Sequence, residues 1–279
     1  MKRRGVVLVV GLFLLGLAAS AQAEIFPLLG AGSQAVVPGS VGGPTYVFNI
    51  DPQPTGTGNI DPFLKFTTSN PGEQAYNFDY DAYAPVAGND AYGSSNWTHL
   101  LLASDLGTFE GSTFGGVAGV NYFKFIIDLD QTKSDPYISL DQLVLSYSLD
   151  GTLHPPVTFS GGEPVAPNLG TVFYDMSGNK LLLNYALNNG SGGGDYEFYV
   201  PATGVPTNAY IYLYNSMGYM GSWTDPGGTT YPVVNNDGPD EWWAVTGAPV
   251  IPEPASLMLV GTGLIGLAAA ARRRLTRKK

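Results

Sequence analysis

Apolar and polar side chains alternate along most of this chain, and the period is two rather than the 3.6 of a helix. From Tyr122 to Asp130, Phe123, Phe125, Ile127 and Leu129 share one face while Lys124, Ile126, Asp128 and Asp130 share the other, as in a strand with one side in a core. Leu143, Leu145, Tyr147 and Leu149 repeat the pattern ahead of Asp150-Gly151, a strong reversal signal. Ile138 and Leu140 have the opposite parity, so a bulge or short turn near Asp141-Gln142 must reset the phase. Further strands are predicted over 63–67, 76–80, 171–176, 181–187, 196–200 and 210–215, separated by Gly-, Asn- and Pro-rich breaks. This spacing, with no helical period between the termini and no repeat of fixed length, predicts an all-β fold: an antiparallel β-sandwich or jelly roll.

The two ends break the alternation. Lys2-Arg3-Arg4, the apolar stretch Gly5 to Ala18 and the small-residue site Ala21-Gln22-Ala23 read as a secretory signal peptide over 1–23. Arg3-Arg4 lacks the flanking residues of a twin-arginine signal, which favours general secretion. At the other end, Pro252-Glu253-Pro254 leads into the apolar run 255–271 and the basic tail 272–279, which includes Arg272, Arg273 and Arg274. Seventeen residues at about 1.5 Å each give a helix of roughly 26 Å, just long enough for a thin bilayer. The positive charges after it hold that end in the cytoplasm and leave the body outside.

The order of Pro-Glu-Pro, membrane-length helix and basic stop resembles the PEP-CTERM sorting signal of Gram-negative bacteria that produce exopolysaccharide. Residues 120–279 also resemble a group of PEP-CTERM proteins without assigned activity, through Ile138-Ser139-Leu140-Asp141, Gly190-Ser191-Gly192-Gly193-Gly194-Asp195, Tyr210-Ile211-Tyr212-Leu213-Tyr214 and Asp237-Gly238-Pro239-Asp240-Glu241-Trp242. The resemblance implies processing by an exosortase-type membrane enzyme near Pro252, Glu253 and Pro254, and a surface or matrix location. The expected organisation is a signal peptide (1–23), a loose lead-in (24–44), a sandwich domain (45–248) and the sorting signal (249–279), whose helix anchors the precursor in the inner membrane.

Charge is segregated in the same way. Between residues 24 and 253 only four lysines face all 23 acids, a net charge of −19. Such a body does not attract nucleic acid or anionic lipid, and it suits divalent cations. With no cysteine, it has neither disulfides nor thiolate chemistry, so its core must hold it. A hydrophobic fraction of 44 % argues against disorder despite 37 glycines and 21 prolines.

Three constellations are candidates for chemistry. Asp128, Asp130, Asp135 and Asp141 offer the oxygen ligands that Ca²⁺ prefers, although Lys133 stands where an EF-hand needs glycine; Ca²⁺ is the one cofactor suggested. Tyr83, Tyr92 and Trp97, set among Asp79, Asp81 and Asp90, have the aromatic and acceptor groups of a sugar-binding surface. Asp195 and Glu197 share a strand parity at a separation fit for glycoside hydrolysis, although 23 acids make some such pair expected. His99 and His154 are too few for a histidine-rich metal site, and the loop 190–194 lacks the Lys-Ser/Thr of a phosphate loop. The leading expectation is therefore an exported, non-catalytic protein of the cell surface or extracellular matrix, associated with exopolysaccharide in a biofilm. The alternative is a secreted carbohydrate-active enzyme using paired carboxylates.

Overall fold

The computed structural model describes residues 24–50, 62–176, 178–188 and 194–246. The expected signal peptide and sorting signal, with Pro252, Glu253, Pro254, Arg272, Arg273 and Arg274, lie outside the described residues. In chain order the strands are β1 (Ile25–Leu28), β2 (Gln34–Val37), β3 (Thr45–Asn49), β4 (Pro62–Phe66), β5 (Glu73–Tyr76), β6 (Leu101–Leu102), β7 (Thr108–Glu110), β8 (Asn121–Asp128) and β9 (Tyr137–Ser148). They continue with β10 (Thr158–Ser160), β11 (Glu163–Val165), β12 (Thr171–Asp175), β13 (Lys180–Asn184), β14 (Tyr196–Pro201), β15 (Tyr210–Met217), β16 (Ser222–Thr224), β17 (Thr230–Pro232) and β18 (Asp240–Ala244). The expected all-β, antiparallel character holds.

One seven-stranded sheet runs β1-β13-β9-β15-β5, with β12 beside β9 and β6 beside β15. A second runs β2-β3-β14-β8-β18-β4, with β7 beside β8. Register sorts their side chains. Ile127 lies opposite both Tyr196 and Trp242, and Phe125 opposite Phe198, so these strand positions share a face. They meet Leu140, Leu145, Leu181, Ile211 and Leu213 of the first sheet in one buried cluster. Burying each of these side chains contributes about 1.5–3 kcal/mol, which is how a body without disulfides is held together.

The phase change read between Leu140 and Leu143 is a bulge. β15 pairs with β9 as far as Ser216 opposite Gln142 and then jumps to Met217 opposite Leu140, leaving Asp141 as the extra residue. Both apolar runs of β9 thereby reach the core. The strand expected over 76–80 is β5, which ends at Tyr76. The strand expected over 181–187 ends at Asn184, whose side chain accepts from the Ala186 backbone N–H at 3.0 Å and turns the chain into a single 3₁₀ turn.

Residues 24–44, expected as a loose lead-in, hold β1 and β2. Four residues, one of them Pro27, are too few for alternation to register. β1 is recruited instead by long-range parallel pairing, with Phe26 opposite Leu181 and Leu28 opposite Leu183.

The outer face of the first sheet is covered by its own chain. The Tyr76 hydroxyl donates to the Pro155 carbonyl at 2.6 Å, Tyr212 to Asp150 at 2.9 Å, and Gln142 Nε2 to Pro164 at 2.7 Å. Residues 149–170 thus cover Tyr76 and Tyr212 on that side, where Tyr214 is buried beside Tyr219 and Asp90. The outer face of the second sheet keeps Tyr46, Phe48, Lys124, Glu197 and Trp243 part-exposed.

One buried hydroxyl ties the sheets together. Tyr196 Oη donates to the Leu28 carbonyl of β1 at 2.7 Å and accepts from the Asn184 N–H of β13 at 2.8 Å. In Tyr196→Phe both partners lose their bond without access to water, so unfolding should become easier by about 1–3 kcal/mol. Urea denaturation is the check: the midpoint should fall at an unchanged slope, and an unchanged midpoint would remove this tie from the account.

Candidate ligand-binding face and a buried carboxyl cluster

Cross-strand register assembles the outer face of the second sheet. Gln34 lies opposite Phe48 and Val36 opposite Tyr46; Phe48 lies opposite Glu197 and Tyr46 opposite Tyr199. Across the next pairings Tyr199 faces Lys124, Ile126 faces Trp243, and Glu241 faces Lys65. The result is an aromatic surface crossed by two ion pairs, Lys124 with Glu197 and Lys65 with Glu241, the latter at 2.6 Å. Lys124 Nζ lies 5.5 Å from the Tyr199 ring centre, and Lys65 Nζ 4.3 Å from that of Trp97. The Tyr199 hydroxyl donates to Glu197 Oε2 at 3.0 Å, and burial raises its pKa.

Phe114 forms one wall of this surface. Its ring stacks on Tyr199 with centroids 4.0 Å apart and meets Tyr46 edge-on at 5.6 Å and Tyr122 at 5.1 Å. Glu110 holds the loop that carries it, accepting from Ser112 N at 3.0 Å and Gly119 N at 2.6 Å, bonds that, with the Ser112 hydroxyl, keep its carboxyl below the usual range. Gly111 has no room for a side chain, because a Cβ would collide with the Val117 carbonyl. Gln34, Ala35, Val36, Tyr46, Phe48, Phe114 and Gly115 enclose a cavity of about 310 Å³, open to solvent at the β2 edge.

The three aromatic residues expected to bind sugar are split. Tyr92 and Trp97, 54 % and 41 % exposed, share one loop: Trp97 packs on Gly93, and Thr98 Oγ1 donates to the Tyr92 carbonyl at 3.3 Å. Trp97 joins the outer face through Lys65. Tyr83 lies elsewhere, with its ring 5.0 Å from that of His154. Alternation at Tyr46 and Phe48 is legible in the sequence, but only the pairing of β3 with β14 shows which of its faces looks outward.

At one end of the two sheets the structure collects acids. Asp195 Oδ2 accepts from Leu129 N at 2.7 Å, and Asp240 Oδ1 from Asp130 N at 2.6 Å. Asp128 and Asp130 act on both of these carboxyls, and Asp237 acts on Asp130. Glu73, on β5 of the opposite sheet, faces Asp240 across the interior; burial first, and then the Asp240 charge, raise its pKa far above the ordinary range. Burial also pushes the carboxyls of Asp240 and Asp195 upward.

The four acids expected to bind Ca²⁺ do not come together. Asp128 and Asp130 join this cluster, and Asp135 is exposed on the following turn. Asp141, the bulge residue, has its own partners: Lys180 Nζ at 2.8 Å, Ser139 Oγ at 2.8 Å and Tyr219 N at 2.7 Å. Among the described residues no three His, Cys, Asp or Glu side chains are grouped to hold a metal by themselves. Asp195 and Glu197, weighed above as a hydrolytic pair, occupy different settings, since Asp195 is fully buried while Glu197 pairs with Lys124. Glu73 carries no sequence signal, because nothing in Gly72-Glu73-Gln74-Ala75 distinguishes a buried acid from a solvated one.

A profile of the PEP-CTERM protein-sorting motif matches residues 250–274. The chain therefore carries the signal of an exported protein that is held as a membrane-anchored precursor and sorted by exosortase. No curated protein and no solved structure gives a significant match to the chain.

The raised carboxyls fix the sign of the pH dependence. A group whose folded pKa lies above its unfolded value contributes stability that is complete below the unfolded pKa, near about 4, and is lost as pH rises through the raised value. For Glu73, Asp195 and Asp240 that loss falls on the alkaline side of the ordinary carboxyl range. In chelator-containing buffer, the urea midpoint should be lower at pH 8 than at pH 5, and Glu73→Gln should flatten the difference. A midpoint that rises from pH 5 to 8 would contradict these assignments.

Proposed function

We propose that this exported, exosortase-sorted chain is a non-catalytic surface or matrix protein whose two-sheet sandwich binds extracellular polysaccharide through the outer face of the second sheet. The observation that carries this reading is the cavity bounded by Tyr46, Phe48 and Phe114, beside the Lys124–Glu197 pair. Aromatic rings accept the apolar face of a pyranose, and neighbouring ionic and amide groups, here Glu197, Lys124 and Gln34, suit its hydroxyls. A net charge of −19 across the body favours a neutral or cation-bridged polymer over a nucleic acid. Binding without turnover is favoured because Asp195 is buried and Glu197 is paired, so that neither is a free carboxylate flanking the cavity among the described residues.

The test is co-sedimentation of the full chain, in mild detergent, with the producing cell's own exopolysaccharide, with reducing ends assayed in the same tubes. Binding without new reducing ends is expected. Phe48→Ala and Phe114→Ala should each weaken it about tenfold, the equivalent of about 1.4 kcal/mol per stacking ring. Tyr83→Ala should leave it unchanged. Unaltered binding in both cavity variants rejects this face, and released reducing ends select the enzymatic alternative.

Sorting has its own test. Replacing Pro252, Glu253 and Pro254 with alanine should leave an unprocessed, membrane-held form on immunoblots of fractionated cells, whereas normal processing would separate the triplet from exosortase recognition.

A further inference from the structure

The end of the sheets that carries Glu73 and Asp240 holds more buried polar atoms than its own hydrogen bonds satisfy. Glu73 opens β5 opposite Met217, and its register places it on the inner face with Ala75. Asn215 lies opposite Ala75 and so is the diagonal neighbour of Glu73 on that same face. Asp240 opens β18 opposite Phe66, on the inner face of the other sheet with Trp242. All three side chains are 0 % exposed. The carboxyls of Glu73 and Asp240 bond to each other, as two acids can only while one of them holds a proton; no other group partners the Glu73 oxygens, Oδ2 of Asp240, or Oδ1 and Nδ2 of Asn215.

A fifth oxygen stands close by. Asn235 is anchored beside Glu73 by donating its N–H to the Pro71 carbonyl at 2.8 Å and its Nδ2 to Thr68 at 3.0 Å, while its Oδ1 is left without a partner. An unsatisfied buried polar group costs about 1–3 kcal/mol, and more when charged. Carboxyl oxygens that face each other with no N–H or O–H directed at them must either share a proton or neutralise a cation.

We infer that Glu73 and Asp240, completed by the amide oxygen of Asn215, form a Ca²⁺ site between the two sheets. Two carboxylates balance the charge of one divalent ion. Every available donor is oxygen, with no imidazole or thiolate among them, which selects a hard cation over zinc or copper. The irregular mixture of carboxylate and amide suits the flexible coordination of Ca²⁺ better than the strict octahedron of Mg²⁺. Asn235 Oδ1 is a further unpartnered amide oxygen able to enlarge the set. Asp90, Asp128 and Asp130 add a negative field around the pair, and the nearby Lys65 is committed to Glu241. Because the ligands come from both sheets, the ion would fasten them at the end where their carboxyls otherwise repel.

The experiment uses the full chain in mild detergent, stripped with EDTA, dialysed, and titrated with CaCl₂ by calorimetry and by thermal unfolding. One Ca²⁺ per chain is expected, with a dissociation constant near the extracellular range of about 10⁻⁴–10⁻³ M and a rise in Tm. Glu73→Gln and Asn215→Leu should each weaken binding at least about tenfold. Asp135→Asn, on the exposed turn, should leave it intact. Should Glu73→Gln fail to fold, Asn215→Leu decides, because it keeps both acids. Absence of a calcium-dependent Tm shift up to about 10 mM, or undiminished binding in Asn215→Leu, overturns the site. Loss of binding in Asp135→Asn moves the ion to the surface turn and overturns it equally.

Discussion

The two sheets are covered unequally, and the rest of the molecule follows from that inequality. Residues 149–170 fold back over the first sheet and take Tyr76 and Tyr212 out of water, so both faces of its strands β5 and β15 are largely interior. This explains how a chain with 17 tyrosines and no cysteine closes a stable core: amphipathic rings are buried, and the hydroxyls of Tyr76 and Tyr212 bond to loop carbonyls. The second sheet has a core face and an outer face that stays part-exposed. Aromatic residues on the first sheet therefore serve packing, whereas those at Tyr46, Phe48 and Phe114 border a cavity that meets solvent.

Long strands with clean alternation are legible in the sequence alone. β8, β9 and β15 lie close to where the pattern places them, and the parity change in β9 marks the bulge at Asp141. What cannot be read there depends on partners distant along the chain. β1 exists because β13, about 155 residues away, offers it an edge. The role of an aromatic strand face depends on whether a loop crosses it, and nothing in Tyr210-Ile211-Tyr212-Leu213-Tyr214 distinguishes a covered face from an open one. The same limit splits Tyr83 from Trp97: proximity along the chain says little about which ring packs on His154 and which on Lys65.

Acidic residues show the limit most sharply. Counting them establishes a negative body, and alternation makes Asp128 and Asp130 neighbours on one strand. Their companions Asp195 and Asp240 arrive from β14 and β18 only when the sheet assembles, and Glu73 arrives from the other sheet. Asp141, close by in sequence, is turned aside by the bulge into a bond with Lys180. A motif search along the chain looks for ligands in series, but here the acids come together through sheet order.

The open face and the acidic end are joined by β8, β14 and β18, and β14 carries the most. In β14, Tyr196 and Phe198 point to the core while Glu197 and Tyr199 point outward, and Asp195 stands at its entrance beside Leu129. Tyr196 also anchors β1 and β13, so β14 touches the inter-sheet tie, the aromatic surface and the carboxyl cluster within five residues. Anything that loosens the acidic end, such as ionisation of its buried carboxyls, acts on the strand whose outward side chains stack with Phe114 and pair with Lys124. Side chains that recognise a ligand are useful only while they are held in place, because each ring freed to rotate adds an ordering cost on binding. The physical demand on this fold is thus to keep mutually repelling carboxyls closed at one end of β14 so that its outward residues stay ordered.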